Sequence, residues 1–336
     1  MSNPSLGASV PPTGQDISPQ PEAKSFSRFA IELGSRRNAL FSFLVVVALL
    51  VFWTPLMTLL DFSLRAPHQY DKYSHTLLIP FITMGLVFLE RRRIFKSVQY
   101  CFWIGVILLL LGLILKWWGE RAVNQLGEEN ALSIGILGLV VFWSAGFIIC
   151  YGTRAYAAGA FPLLLLFLAV PIPNLLLDGP LWAVRYESTE VCELIFKLVG
   201  EPFLRNGFVF VLPTITIEVV EECGGIHATL ALLIASLVAG HLFLPSLWKK
   251  VLLVLFVFPI VSLTNGLRIA GLTLLTVYVD PGFMRGSMHR RGGLGFFLLG
   301  LICLFAVLRL LQCGQRPRDS RREVSPSEDP AAVRAR

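Results

Sequence analysis

Residues 218–247 read EVVEECGGIHATLALLIASLVAGHLFLPSL: an acidic lead-in bearing Cys223, two glycines, then an uninterrupted apolar run. A helix that spans a bilayer needs about 20 largely apolar residues, and 225–247 supplies them. The run makes lipid the solvent of the fold. It also sets a thiol where water, a helix start and the membrane meet.

Working outward, runs of the same kind occur at 39–60, 75–89, 100–118, 131–151, 155–177, 251–279 and 293–311. The chain is 55% hydrophobic and 15% charged, where a soluble domain carries about 25% charged residues. The expected fold class is an all-α polytopic membrane protein of about eight transmembrane helices. Residues 1–38, rich in Pro, Ser, Gly and Gln, read as a disordered cytoplasmic tail, and 312–336 as a second one. Residues 39–311 form the transmembrane domain. No apolar core precedes Ala39, so the start is no signal peptide. Val170-Pro-Ile-Pro173 should stop or kink the fifth span. Pro259 and Thr264-Asn265-Gly266 should break the long seventh one.

The net charge of +7 does not indicate nucleic acid, because the basic residues fall in short clusters beside apolar runs. Arg36 and Arg37, Arg91–Arg93 with Lys96, Arg154, Lys249 with Lys250, and Arg316 onward all fall on one side of eight spans. The positive-inside rule makes that side cytoplasmic, with both termini inside an inner membrane. The connection 178–224 is then extracytoplasmic and acidic. Within it, 180–199 suggests an amphipathic interfacial helix, and the β-branched and aromatic stretch 207–220 a small hairpin.

Three polar residues stand out on the outer side. Cys223 precedes a helix N-terminus, whose unpaired N–H groups favour a thiolate. Glu221 and Glu222 oppose this by raising the thiol pKa, so a nearby cation is needed to offset them. Arg268 lies about 25 Å into the seventh span, in the outer leaflet, where an arginine faces a partner, snorkels or lines a polar cavity. Asn265, one turn earlier, shares its face. His289 sits in MHRRGGLG just before the eighth span and could carry a proton. Taken alone it reads more readily as a solvated loop histidine. What favours function is convergence: charge-derived topology puts all three residues on one membrane face.

Other roles fit less well. A bridge from Cys192 to Cys223 would remove the nucleophile. Cys101, Cys150, Cys303 and Cys313 lie in or at the ends of spans, as small apolar side chains. His227, four residues after Cys223, would make a Cys/His pair, but zinc needs two more ligands and no HExxH, CxxC or carboxylate cluster supplies them. No GxSxG is present either. No metal and no cofactor is expected.

Tyr73-Ser-His-Thr76, Phe161-Pro-Leu163, Val170-Pro-Ile-Pro173, Glu222-Cys-Gly-Gly-Ile226, Asn265-Gly-Leu-Arg268, and His289 with Gly293 and Phe296-Phe297 occur in this order. The ordered set resembles the exosortase/archaeosortase family of membrane cysteine transpeptidases, from about Tyr73 to Leu311. The resemblance implies Cys223 as nucleophile, Arg268 as stabiliser and His289 as proton carrier, with Glu222, His227 and Asn265 in support. It implies partners that are exported proteins ending in a short motif such as Pro-Glu-Pro, a transmembrane helix and a basic cluster. Such proteins are cleaved near the motif through a thioester, often in cells making extracellular polysaccharide. Cys-Gly-Gly stands where Cys-Ser-Gly is commoner in the family, and His227 where an arginine is frequent. The rival classes are a transporter or channel, in which Arg268 lines a pathway, and a non-catalytic factor in polysaccharide export.

Overall fold

The computed structural model describes residues 21–64, 75–219, 226–280 and 287–313, with side chains at all of these except 21–35, 64, 174–175, 227 and 287–292. The termini 1–20 and 314–336 lie outside that set, as do Tyr73, Ser74, Glu222 and Cys223. Backbone polar groups in hydrocarbon must be satisfied internally, and the described chain does so mostly with helices. Three stretches among the described residues are long and apolar enough to cross a membrane: Phe102–Ala158, Leu247–Tyr278 and Gly293–Cys313. A fourth is added if the bent pair Arg36–Val51 and Trp53–Ser63 counts as one span. The chain is a helical membrane protein. Its exposed apolar side chains, Phe43, Leu50, Phe88, Trp103, Ile107 and Ile302 among them, suit lipid rather than water.

The chain divides into two compact units. The N-terminal unit is Met1–Thr58 with Ile82–Val170. Helix α1 (Pro21–Val51) begins ahead of the expected first span, and α2 (Trp53–Leu64) and α3 (Ile79–Ile94) follow. Helix α4 covers Phe102–Ala158 but leaves helical geometry at Gly127, with φ +80°. A Cβ on Gly105 would lie 3.2 Å from the Ala145 carbonyl oxygen; on Gly112, 2.9 Å from that of Gly138; on Gly119, 3.0 Å from that of Ala131. One partner rises by seven as the other falls by seven, so the arms run antiparallel. Small residues at heptad spacing allow the backbones this close approach. The two arms are the expected spans 100–118 and 131–151, joined by a turn that glycine makes accessible.

Helix α5 (Ala160–Leu165) continues as a 3₁₀ turn, Leu166–Ala169, and ends as Val170 goes extended before Pro171. This is the expected stop, since the residue before proline disfavours helix. This segment and α7 below occupy expected spans 155–177 and 225–247 with helices shorter than those readings, whereas α3 matches 75–89 in length but starts four residues later.

The C-terminal unit is Leu59–Phe81 with Pro171–Arg336. It holds α6 (Asn174–Val199), a three-stranded antiparallel sheet of β1 (Leu204–Asn206), β2 (Val209–Val211) and β3 (Thr216–Glu218), then α7 (Ile226–Phe243), α8 (Leu247–Leu255), α9 (Val257–Tyr278) and α10 (Ser287–Cys313). The hairpin expected over 207–220 is β2–β3, with Phe210 opposite Ile217; β1 adds a third strand. The seventh run is interrupted at Phe256, between α8 and α9, but not at Thr264-Asn265-Gly266, which lies inside an unbroken α9. Pro259 explains the position: it lacks the N–H that would bond Leu255, and its ring clashes with that carbonyl.

Helix α6 differs from the interfacial reading. Val184, Ser188, Thr189, Cys192 and Phe196 are buried, at the i, i+4, i+8 spacing of one helix face. That face packs on α9 and on the sheet, where Cys192, Phe196, Phe210, Ile217, Val219 and Ala270 form one apolar cluster. Ser188 and Thr189 are buried with the apolar residues of this helix.

Candidate functional site

Helix α6 approaches α9 at Gly266. A Cβ there would fall 2.6 Å from Val191 Cβ and 2.8 Å from the Ser188 carbonyl oxygen, so only glycine fits the crossing. Polar bonds flank it. Asn265 donates from Nδ2 to Ser188 Oγ at 3.1 Å, and Ser262 donates to Glu187 Oε2 at 2.6 Å. Asn265 is 5% exposed and Ser188 fully buried, so losing either partner leaves a desolvated polar group. Asn265 therefore faces α6, and its amide holds the helix carrying Arg268 rather than touching the guanidinium's side of the helix. At the far end of α9, the Tyr278 hydroxyl donates to the Glu201 carboxylate.

Arg268 projects half-buried from α9 toward α10. Its Cζ lies 3.9 Å from where a Cβ on Gly293 would be, and Gly293 is four residues, about one turn, past His289. A shared level lies deeper, where a Cβ on Gly300 would meet Leu232 of α7 at 3.0 Å and Ile260 and Thr264 of α9 at 3.7 and 3.8 Å. At about 1.5 Å of rise per residue, Ile226 is about 9 Å above that level, Arg268 about 6–12 Å and Gly293 about 10 Å. Lys249 at the start of α8 donates to the Leu311 carbonyl, which fixes the opposite end. The starts of α7 and α10 and the Arg268 turn of α9 thus share one end of this unit.

Cys223 and Glu222 lie outside the described residues, and His227 and His289 are described by backbone alone, in the first turns of α7 and α10. Both flanks of Cys223 are placed. Ile226 opens α7 three residues later. Val219, four residues earlier, is fully buried and its N–H donates to the Phe208 carbonyl at 2.9 Å. Its own carbonyl accepts a bond from Arg185 Nε on α6. Chain geometry, about 3.8 Å per residue at most, then keeps the Cys223 backbone within about 11 Å of Ile226.

The remaining thiol of this region behaves differently. Cys192 is fully buried and unbridged, so a link to Cys223 is absent. Burial pushes its thiol up to about 12, with Arg205 pulling weakly the other way. Such a thiol is protonated and inert. Beside it, Arg205 pairs with Glu190 at 2.8 Å and with Glu193, which also binds Lys197 at 2.5 Å. Hydrogen bonds from Lys197 and Arg205 hold the Glu193 carboxyl below its ordinary range. Sequence reasoning missed Arg185, Glu187 and Ser188. Their signal was present: charged and hydroxyl residues inside a helix otherwise rich in apolar side chains.

The sequence model of transmembrane exosortases matches residues 68–306, most of the chain. The chain belongs to the transmembrane exosortase family. Neither curated proteins nor solved structures yield a match. Family membership associates the chain with transpeptidation in protein sorting, on exported substrates that carry a sorting signal. The match includes the α6–α9 clamp, Arg268, and the sequence positions of Cys223 and His289.

Proposed function

We propose that this exosortase is a cysteine transpeptidase acting at the extracytoplasmic lip of an eight-span bundle in the inner membrane, both termini inside. The observation that carries the reading is the position of Arg268. A cation is held half-buried against Gly293, one turn past His289, level with the start of α7 that follows Cys223. A guanidinium placed there is costly in lipid unless it serves a partner or a reaction.

In this reading the Cys223 thiolate attacks the scissile carbonyl and a C–S bond forms. Charge collects on the carbonyl oxygen, toward which Arg268 directs charged N–H donors. The C–N bond then breaks, and the leaving amine takes a proton from the His289 imidazolium. The thioester is attacked by an acceptor amine or by water, whose proton returns to His289, and Cys223 leaves as thiolate. Glu222 and His227 border the thiol, and Asn265 keeps α9 in register. The substrate is an exported protein whose own C-terminal helix lies in the bilayer. Its motif, of the Pro-Glu-Pro kind, stands just outside the lipid, ahead of a basic cluster on the cytoplasmic side. Polysaccharide-producing cells are the expected setting.

The test is C-terminal processing of a co-expressed exported protein, followed by gel shift, in C223A beside C192A. The account expects loss in the first and retention in the second. Processing that survives C223A would rule out the thiol mechanism and favour a transport or assembly role.

A further inference from the structure

We infer that Arg185 is a positioning residue for the nucleophile, locking the chain that leads into Cys223 onto the helix that also positions Arg268; the inference rests on the thiol reading above. Three contacts converge on its guanidinium. Nε donates to the Val219 carbonyl, Nη2 pairs with Glu218 at 3.6 Å, and Cζ lies 4.0 Å from the centre of the Phe208 ring. Phe208 in turn accepts the Val219 N–H. The residue at the exit of β3 is thus held by both its backbone groups. Four residues later comes Cys223.

A structural role in the sheet does not require this arrangement, because β2 and β3 are already registered by Phe210 opposite Ile217. Arg185 adds something else, a link between the sheet exit and α6. Its neighbours Glu187 and Ser188 bond Ser262 and Asn265 of α9. One helix therefore references both the cysteine-bearing segment and the arginine-bearing helix, within a single turn. The Arg185 side chain is 15% exposed, so its charge is poorly screened. That charge is paired with Glu218 at the exit of β3. Lysine could keep the charge but not the fork that serves a carbonyl and a carboxylate together.

The experiment uses full-length protein reconstituted in vesicles, with an exported protein from the same cells that ends in motif, apolar helix and basic cluster. Variants R185Q and R185K are compared with the parent for processing rate at saturating and limiting substrate. Peptide mapping of maleimide labelling at Cys223 and Cys192 runs in parallel, with Cys192 reporting the fold. The expected result is a kcat lowered about 10–100-fold in R185Q, KM within about threefold, slower Cys223 labelling, and partial recovery in R185K. Cys192 stays protected. An unchanged kcat in R185Q overturns the inference, as does exposure of Cys192 in both variants. If only R185Q exposes Cys192, the R185K kcat decides by the same criterion. C223A separates the two proposals: processing that persists in it removes the thiol mechanism, whereas its loss beside an unchanged R185Q removes the Arg185 role alone.

Discussion

Gly266→Ala tests whether the α6–α9 crossing positions the site. The new Cβ would sit 2.6 Å from Val191 Cβ, where ordinary contact begins at 3.4 Å, a shortfall of about 0.8 Å. The Ser188 carbonyl at 2.8 Å cannot rotate away, so the helices must part. Parting by that amount stretches the 3.1 Å bond from Asn265 to Ser188 beyond hydrogen-bonding range. Overpacking of this kind costs about 1–3 kcal/mol, and a displacement near 1 Å can lower a rate about 100-fold. Gly271→Ala, on the same helix with nothing within 4 Å of its Cβ position, is the control and should be neutral or slightly stabilising. Both are read by processing of an exported substrate and by maleimide capture of Cys192. Parent-like processing in G266A, with Cys192 still protected, would refute the argument.

Further outcomes follow from single contacts. With its thiol pushed up to about 12, Cys192 should resist alkylation at pH 8, and the stability it adds should persist below the ordinary thiol pKa and fade only as pH rises toward 12; labelling against pH measures this. Glu193 is depressed by Lys197 and Arg205, so its contribution should hold above the ordinary carboxylate range and be lost as pH falls through its lowered value. That effect is small because the pair with Lys197 is exposed, and R205A should remove only part of it in acid-unfolding curves, since the Lys197 hydrogen bond remains. G127A should cost about 1–3 kcal/mol of backbone strain, from its φ of +80° and ψ of 161° rather than from any clash, since its Cβ would meet nothing. G152A should prevent folding of the N-terminal unit, because a Cβ there falls 2.0 Å from the Gln99 carbonyl oxygen; expression and thermal unfolding distinguish the two.

Apolar runs and breakers were legible because they act locally. Pro259 ends a helix at Phe256 and Pro171 ends one at Ala169 through backbone sterics that need no partner. The β-branched stretch around Pro213 likewise declares its hairpin. The part that was not legible depends on which neighbour a polar side chain meets. Ser188 falls between Val184 and Cys192 on one helix face, but nothing local says that it and Glu187 bond Asn265 and Ser262 some 75 residues away. Asn265 shares a turn with Arg268, but its amide turns toward α6. Gly266 reads as part of a polar break, and its real constraint, the Val191 side chain, appears only in the packed pair. Arg185 was one charge among many in an acidic loop until the Val219 carbonyl gave it a partner.

The central claim is that Cys223, Arg268 and His289 meet at one end of the C-terminal unit. It is tested most directly by crosslinking in native membranes, with the other cysteines replaced and R268C or H289C introduced singly. A short bis-methanethiosulfonate linker should join position 223 to each, while K249C at the opposite end should give no product. Absence of both links, with a 223–249 product or none at all, would contradict the account.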